Sequence, residues 1–392
     1  MNNSTVLIVF GGASPEHEVS VLTGIQALSA LRDSPYQTVP VYISKTGIWY
    51  TGETLRNLQN YENLDSLKRN AVRCHIQQSD AGQALLVQEQ KGWFSSSEPV
   101  SVYAVVNAMH GASGENGAFQ GLCEFYHIPC TGSGVLASSI GMDKLTAKNL
   151  CRNAGIPVVA DVDFTEQQWV ADRDSILHSV ESLGYPVIVK PVSLGSSIGV
   201  ERADDADAFA AATEQAFRYD SHIMAETLVS PLKEINCSVL GTPDSCEASV
   251  CERPLGKEEL LSFQDKYQGD EPAKGMASAS REIPADIPAD LSAAIQNTSK
   301  EIFTLFGASG VARLDFLVHA VTNEYYFNEI NTIPGSFSFY LWKESNVSFQ
   351  DLLQRLITDA VELHQQKSGR TQIYETNLLS QKAVKGLKGL KK

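Results

Sequence analysis

The sequence lacks the long apolar segments of membrane proteins. No apolar run in its 392 residues approaches the roughly 20 residues that a membrane-spanning helix needs. Met1 is followed by a few polar residues and a short apolar run, without the basic segment and long apolar stretch of a secretory signal. These absences predict a cytoplasmic protein that is not inserted into a membrane.

Cysteine motifs are also missing. The seven cysteines are scattered, their number is odd, and no CxxC occurs. This pattern disfavours a disulfide framework or a cysteine-rich zinc site, and we expect reduced thiols.

Positive charge is scarce, since 31 Lys and Arg oppose 46 Asp and Glu for a formal net charge of −15. Such a chain repels nucleic-acid phosphates and anionic membranes, so we expect neither as a partner. A few placed lysines, arginines and backbone amides must therefore hold any anionic ligand. The two best-known nucleotide fingerprints are absent as well. No GxxxxGK[ST] occurs, and no GxGxxG follows the first apolar run, 6–10, which argues against a nicotinamide-dependent enzyme.

The length and the 43% hydrophobic content suit two or three packed domains. Strand-like and helix-like patterns alternate over residues 1–131, which predicts a doubly wound α/β domain with a Rossmann-like sheet. We assign residues 132–231 to a small middle domain that begins with one long helix over 137–154. Residues 232–366 form a predicted C-terminal domain of α+β type. The basic tail, 367–392, is predicted to be disordered, with a lipid- or partner-binding helix as the alternative.

The most informative stretch is a predicted hairpin near the C-terminus. Arg313 and Asp315 share one face of its first strand, and Glu329 and Asn331 share one face of its second. Pairing would bring Asp315 opposite Glu329 and Asn331, and two carboxylates with an amide oxygen suit Mg²⁺ bound together with phosphates. The alternative is a pair of strands with a solvated polar face. A tight turn ending at Gly335 directly after the set favours a substrate site.

A loop and two lysines are candidates for binding phosphate. Gly195-Ser196-Ser197-Ile198-Gly199 offers close backbone approach and hydroxyl donors, although an ordinary turn would have the same composition. Lys190 ends an apolar strand, so it needs a partner, which is either a phosphate or a structural salt bridge. Lys144 lies on a predicted helix and could equally be exposed.

Taken in order, these motifs closely resemble the D-alanine–D-alanine ligase family. The resemblance covers about residues 5–360 and implies the ATP-grasp fold, in which the middle and C-terminal domains hold ATP. It is carried by Gly11-Gly12, Glu16-His17-Glu18-Val19-Ser20, His110-Gly111, Gly114-Glu115-Asn116-Gly117, Gln120-Gly121, Gly132-Ser133-Gly134, Met142-Asp143-Lys144, Lys190-Pro191, the 195–199 loop and the 313–335 hairpin.

The resemblance implies roles for individual residues. The implied metal ligands, for two Mg²⁺ or Mn²⁺ ions, are Asp315, Glu329 and Asn331. The residues implied to act in catalysis are Glu16, Ser196, Tyr267, Arg313 and the amide of Gly335. Those implied to bind the amino-acid substrates are Glu16, His110, Lys266, Arg313, Ser336 and Ser338. Those implied to bind ATP are Lys144, Lys190, Ser196, Ser197, Glu226, Leu228, Glu234 and Lys266.

The implied activity is ATP-dependent joining of two D-alanines through an acyl phosphate, for peptidoglycan precursor synthesis. The Lys266-Tyr267 pair favours a dipeptide over an ester product, the loop 262–275 is a candidate lid, and a homodimer is implied. The segment 336–342 departs from the family pattern, and its aromatic residues could equally be ordinary core. The alternatives are therefore a ligase for another pair, such as D-Ala with D-Ser, or a nucleotide-binding regulator without turnover.

Overall fold

The computed structural model describes residues 4–89, 98–255 and 281–371. Within these residues the strands form three sheets, as expected for the predicted mixture of α/β and α+β structure. No helix in the described ranges is both long enough and apolar enough to cross a membrane. The predicted domain boundaries at 131 and 231 fall between the three sheets.

The first sheet has seven strands in the order β6-β5-β4-β3-β2-β1-β7. Its strands are β1 (Thr5–Gly11), β2 (Gln37–Ile43), β3 (Trp49–Thr51), β4 (Val72–Gln78), β5 (Ala84–Gln88), β6 (Val100–Ser101) and β7 (Ala104–Asn107). Strand β1 pairs in parallel with β2 and β7, and all seven of its residues are buried, which explains its continuous apolar run. Residues after 51 contribute antiparallel strands that extend this sheet.

Helices cover the first sheet and the connections beside it. They are α1 (His17–Ala30), α2 (Leu64–Asn70), α3 (Ala112–Glu115) and α4 (Ala118–Phe125), with 3-10 turns at Glu53–Arg56 and Leu58–Glu62. The C-terminal helix Phe349–Ser368 also packs here, because its Leu352 and Leu356 share one core with Val6 and Ile8 of β1. The first sheet is therefore held against the C-terminal part of the chain.

The second sheet is antiparallel and has the order β10-β9-β11-β8. Its elements are β8 (Asp161–Thr165), α7 (Glu166–Ala171), α8 (Arg173–Leu183), β9 (Val187–Pro191), β10 (Glu201–Ala203), α9 (Ala206–Ala216) and β11 (His222–Thr227). Phe164, Trp169 and Phe209 pack edge-to-face or stacked in its separate core.

The third sheet is antiparallel, with the order β14-β13-β12-β15-β16. Its elements are β12 (Leu232–Thr242), β13 (Ser245–Pro254), β14 (Arg281–Glu282), α10 (Ala289–Leu305), β15 (Gly310–His319), β16 (Tyr325–Asn331), a 3-10 turn (Gly335–Ser338), α11 (Phe339–Lys343) and α12 (Phe349–Ser368). The end of α12 extends into the predicted tail, and residues 372–392 lie outside the described residues.

The prediction of one helix over 137–154 is wrong, because two helices, α5 (Val135–Met142) and α6 (Lys144–Asn153), replace it. Asp143 between them is extended, and its Oδ1 accepts a hydrogen bond of 2.7 Å from the Thr146 amide, which caps α6. The break places Lys144 at the first position of α6. Both helices pack on the third sheet, where Cys151 shares a core with Leu314.

Candidate active site

Polar side chains cross one face of the third sheet in two neighbouring rows. Asp315 lies directly opposite Asn236 on β12 and Glu329 on β16, which confirms the predicted pairing with Glu329. The predicted pairing of Asp315 with Asn331 is wrong, because Asn331 lies one row away, opposite Arg313 of β15. Because alternate residues of a strand share a face, both rows project to the same side of the sheet.

The candidate metal ligands are close together and already hydrogen-bonded. Arg313 donates to both carboxylate oxygens of Asp315, from Nε at 2.7 Å and from Nη2 at 2.6 Å. Asn331 Nδ2 donates to the same carboxylate at 3.1 Å. In the described residues no three His, Cys, Asp or Glu side chains are grouped to hold a metal, so the set has two carboxylates and one amide. Mg²⁺ takes few protein ligands and completes its shell with water and phosphate oxygens, and this donor set fits that requirement.

A β-bulge in β16 brings two of its side chains next to Lys190 and Lys144. The register shifts after Asp315, so that Glu329 pairs with Asp315 while Asn328 becomes the extra residue. Asn328 Oδ1 accepts a hydrogen bond of 3.1 Å from Lys190 Nζ. Glu329 Oε2 lies 3.5 Å from Lys144 Nζ. At the bulge, the neighbouring residues Asn328 and Glu329 are therefore in contact with both lysines that are predicted to bind phosphate.

Both lysines line a cleft between the second and third sheets, which we call the lysine cleft. Lys144 and Lys190 are only 7% and 5% exposed, so the alternative of a solvent-exposed Lys144 is wrong. Lys144 also donates to the Leu194 carbonyl next to the glycine-serine loop. The predicted nucleotide and metal residues that line this cleft are Lys144, Lys190, Ser197, Glu226, Leu228, Glu234, Asp315 and Glu329.

A smaller cavity, the Glu16 pocket, adjoins the lysine cleft. Its lining includes Glu16, Gly111, Asn331, Lys144 and Glu329, and the last two also line the lysine cleft. Glu16 accepts a hydrogen bond from the Ser196 hydroxyl across 180 positions of sequence. Gly111 has φ +66°, a backbone conformation that favours glycine, and a Cβ there would lie 2.5 Å from a Glu16 oxygen, so a side chain at this wall would displace Glu16.

His110 precedes Gly111 of the Glu16 pocket and makes a buried hydrogen bond to Thr23. Its Nε2 lies 2.8 Å from the Thr23 hydroxyl, which also accepts a hydrogen bond of 3.1 Å from the Ser336 amide. Burial lowers the pKa of His110, which favours a neutral imidazole. The Thr23 contact thus connects the first sheet to the turn that follows Gly335.

The turn Gly335–Ser338 has an unusual backbone, because Ser336, Phe337 and Ser338 all have positive φ values of 52, 53 and 50°. Ser336 and Ser338 are buried, and Phe337 belongs to the core beside the first sheet together with Trp342. Core packing therefore accounts for those two aromatic residues of the segment 336–342. It does not account for Tyr340, whose hydroxyl reaches Glu252 at 3.2 Å.

Two family models cover most of the chain. The model described as D-ala D-ala ligase N-terminus matches residues 5–133, and D-ala D-ala ligase C-terminus matches residues 150–358. The chain belongs to the D-alanine–D-alanine ligase family.

Similar proteins agree over almost the whole length. The D-alanine–D-alanine ligase of Thermosipho melanesiensis is 33% identical over 378 residues, which span 96% of this chain and 99% of the relative. That of Caldicellulosiruptor bescii is 34% identical over 376 residues, which span 94% and 98%. These names are those of ADP-forming ligases, so the predicted enzyme class is confirmed.

Two solved structures confirm the predicted ATP-grasp fold. The D-alanine–D-alanine ligase from Coxiella burnetii has a TM-score of 0.78 and 26% identity, covering 94% of this chain and 97% of that one. The VanG D-Ala:D-Ser ligase from Enterococcus faecalis has a TM-score of 0.76 and 27% identity, covering 92% and 100%.

This member of the ligase family contains a buried ion triad that the sequence patterns did not predict. Glu226 lies 2.5 Å from Lys190 and is also paired with Lys148, which is 0% exposed. Burial lowers the pKa of Lys148 to about 8. Burial alone would raise the pKa of Glu226, but the two lysines outweigh it and lower that pKa. The available signal was spacing, since Lys148 follows Lys144 by one helical turn.

A second missed residue is Glu115, which also lines the Glu16 pocket. Its carboxylate accepts hydrogen bonds from the amides of Gly111 at 2.6 Å and Ile333 at 3.2 Å. Burial, and then the nearby charge of Glu16, raise the pKa of Glu115 to about 8. Glu115 lies in the Gly114-Glu115-Asn116-Gly117 motif, which indicated the family but not a place for Glu115 in the site.

The remaining predicted site residues belong to the candidate lid and to the turn after β16. Lys266, Tyr267 and the candidate lid 262–275 lie outside the described residues. Gly335, Ser336 and Ser338 lie on the turn described above, where the Ser336 amide donates to the Thr23 hydroxyl.

Proposed function

We propose that this ligase joins two D-alanines into D-Ala-D-Ala in the cytoplasm, with conversion of ATP to ADP and phosphate, for peptidoglycan precursor synthesis. The observation that carries the proposal is the wall shared by the two cavities. Lys144, Leu194 and Glu329 line both the lysine cleft and the Glu16 pocket. A terminal phosphate beside Lys144 and Glu329 would therefore lie next to a carboxylate bound in the Glu16 pocket.

The domains 132–231 and 232–366 hold the nucleotide between them in this proposal. Lys144 and Lys190 bind its phosphates, Glu226 and the backbone at Leu228 bind adenine, and Glu234 binds ribose. Ser196 and Ser197 add loop contacts. Two Mg²⁺ or Mn²⁺ ions at Asp315, Glu329 and Asn331 would neutralise phosphate charge and align the phosphate for transfer.

The donor D-alanine occupies the Glu16 pocket. Glu16, held by Ser196, receives its ammonium group, and neutral His110 keeps the wall in position. An oxygen of the donor carboxylate attacks the terminal phosphorus of ATP, and the bond from that phosphorus to ADP breaks. A free carboxylate is a poor acyl donor, whereas the resulting acyl phosphate has phosphate as a competent leaving group.

In the second step the amine of the acceptor attacks the carbonyl carbon. The carbon–nitrogen bond forms, the carbon–oxygen bond to phosphate breaks, and the nitrogen loses a proton. Arg313 and the Gly335 amide stabilise the negative oxygen of the tetrahedral intermediate. Catalysis here consists of positioning and charge neutralisation by groups that are already fixed in place.

D-Ala-D-Ser is the second candidate product, because one similar structure is named a D-Ala:D-Ser ligase and the segment 336–342 departs from the family pattern. A regulator without turnover is disfavoured, since the lysines, Arg313 and the candidate metal ligands are all present. We also propose a homodimer, on family resemblance alone, with sedimentation as the check.

The deciding experiment measures phosphate release from ATP and Mg²⁺ with single and paired D- and L-amino acids, and identifies products by mass. Release with D-alanine alone and the mass of D-Ala-D-Ala would support the proposal. Phosphate release only with D-alanine plus D-serine would show that D-serine, and not D-alanine, is the acceptor. No release with any pair, despite nucleotide binding, would refute ligase activity for these substrates.

A further inference from the structure

A buried network beside the proposed reaction site has no role in the chemistry above. Glu252 of β13 is 0% exposed, and three donors reach its carboxylate. Arg281 Nη1 lies 2.7 Å from Oε2, while the Tyr340 hydroxyl and Asn236 Nδ2 each donate to Oε1 at 3.2 Å. A buried carboxylate with three donors holds those donors in fixed positions.

Arg281 and Tyr340 are also fixed against each other. The guanidinium carbon of Arg281 lies 4.2 Å from the centre of the Tyr340 ring, a cation–π contact. Both residues keep intermediate exposure, whereas Glu252 is fully buried. The network therefore presents Arg281 and Tyr340 at its outer edge and keeps its anion inside.

Strand register joins this network to the active site. Asn236 lies opposite Glu252 on one side and opposite Asp315 on the other, so Glu252 continues the row of candidate metal ligands. Burial and the like charge of nearby Arg313 each act to lower the pKa of Arg281. Tyr340 and Glu252 outweigh them, so the pKa of Arg281 is raised. Two guanidinium groups thus lie in the same neighbourhood.

The proposed ligation needs a third place for a reactant. Among the described residues, Arg313 does not line the lysine cleft or the Glu16 pocket. An acceptor amino acid must bring its amine to the carbon beside Arg313 and the Gly335 amide, and its own carboxylate then needs a cation. In the proposed function Lys144 and Lys190 bind the phosphates of the nucleotide, so another cation must serve the acceptor. The Arg281–Tyr340 edge adjoins this point, because Tyr340 follows Gly335 closely on the chain and Arg313 is near enough to lower the pKa of Arg281.

We propose that Arg281, held by Glu252 and stacked on Tyr340, binds the α-carboxylate of the acceptor amino acid and makes the enzyme selective for acceptors that carry one. The inference rests on the proposed ligase function. It assigns Arg281 as a substrate-binding residue and Glu252 and Tyr340 as positioning residues. The planar guanidinium suits a carboxylate better than a lysine ammonium does.

The test compares acceptors with and without the carboxylate in the full-length enzyme. Initial rates are measured with D-alanine, D-alaninamide and hydroxylamine as nucleophiles, each with saturating ATP and Mg²⁺ and D-alanine as donor. Hydroxylamine attacks the acyl phosphate to give the hydroxamate and so reports donor activation without an acceptor carboxylate. The variants are Arg281→Lys and Tyr340→Phe, with Arg253→Lys on β13 as a matched arginine control.

We expect Arg281→Lys to lower kcat/KM for the D-alanine acceptor by about 10- to 100-fold, mainly through KM, because a charge-assisted hydrogen bond is lost. Rates with D-alaninamide and hydroxylamine should change by less than about threefold, and Arg253→Lys should resemble wild type. Tyr340→Phe keeps the ring and should raise the acceptor KM by a smaller factor.

Three results would overturn the inference. If Arg281→Lys keeps the wild-type preference for D-alanine over D-alaninamide, Arg281 does not bind the acceptor carboxylate. If Arg281→Lys and Tyr340→Phe lower all three rates equally, the network has only a structural role. If the wild type forms hydroxamate but no dipeptide with any acceptor, the proposed function itself fails, and this inference fails with it.

Discussion

The buried charges of the Lys148–Glu226–Lys190 triad predict how much each substitution changes the free energy of unfolding. Two buried lysines share one buried carboxylate, so the triad has one excess positive charge. The substitution Lys148→Met removes that excess and leaves Glu226 paired with Lys190. The substitution Glu226→Gln instead removes the carboxylate with which both buried lysines are paired, which is the costly arrangement.

We therefore expect Glu226→Gln to lower the free energy of unfolding by about 3–5 kcal/mol. Lys148→Met should lower it by no more than about 2 kcal/mol, because Lys190 still compensates Glu226 and the methionine side chain fills the space. The exposed pair Lys45–Glu18, with side chains 54% and 70% exposed, provides the control. Lys45→Met should cost about 0–1 kcal/mol.

The same triad predicts a pH dependence. The pKa of Lys148 is lowered from 10.5 to about 8 in the folded protein. Between these values the unfolded chain binds more protons than the folded chain, so wild-type stability should rise with pH from about 8 to 10.5. The rise attributable to Lys148 is at most about 3 kcal/mol and should be absent in Lys148→Met.

Urea unfolding followed by circular dichroism at pH 7, 8, 9 and 10 measures both effects in the wild type and the three variants. Equal slopes against denaturant concentration are needed so that midpoints can be compared as stabilities. A Lys148→Met variant as unstable as Glu226→Gln would refute the compensation by Lys190. A wild type and a Lys148→Met variant with parallel pH profiles would refute the lowered pKa of Lys148.

Three further predictions concern the site. Glu329→Gln should reduce ATP turnover by about 10²-fold or more with an unchanged melting temperature, and near-normal turnover in the phosphate-release assay would exclude it from metal binding. Lys190→Ala should weaken ATP binding by about tenfold or more in calorimetry, because a charged phosphate contact is lost, whereas an unchanged Kd would contradict its assigned role. Gly111→Ala should raise the KM for the donor D-alanine, because its Cβ would meet Glu16 at 2.5 Å in a backbone of φ +66; an unchanged donor KM would show that the wall can shift.

The parts of the site that the sequence predicted consist of residues close together along the chain. The 313–331 hairpin was predictable because strand alternation places Arg313 and Asp315 on one face, and register then brought Asp315 opposite Glu329. The break at Asp143 was missed, although an Asp that caps the next helix was visible in the sequence, because the apolar pattern continued across it. Apolar periodicity reports which face is buried and does not report whether the backbone stays helical.

The sequence by itself determined the family, the order of the elements, the acidic character and the side chains available for binding phosphate, metal and carboxylate. The tertiary structure decided which of them meet. Lys148 and Glu226 are 78 positions apart, Ser196 and Glu16 are 180 apart, and Tyr340 and Glu252 are 88 apart. Such contacts follow from the packing of separate sheets and from a bulge at Asn328. Local propensity carries no information about them, because the burial that makes each contact favourable exists only after the sheets have come together.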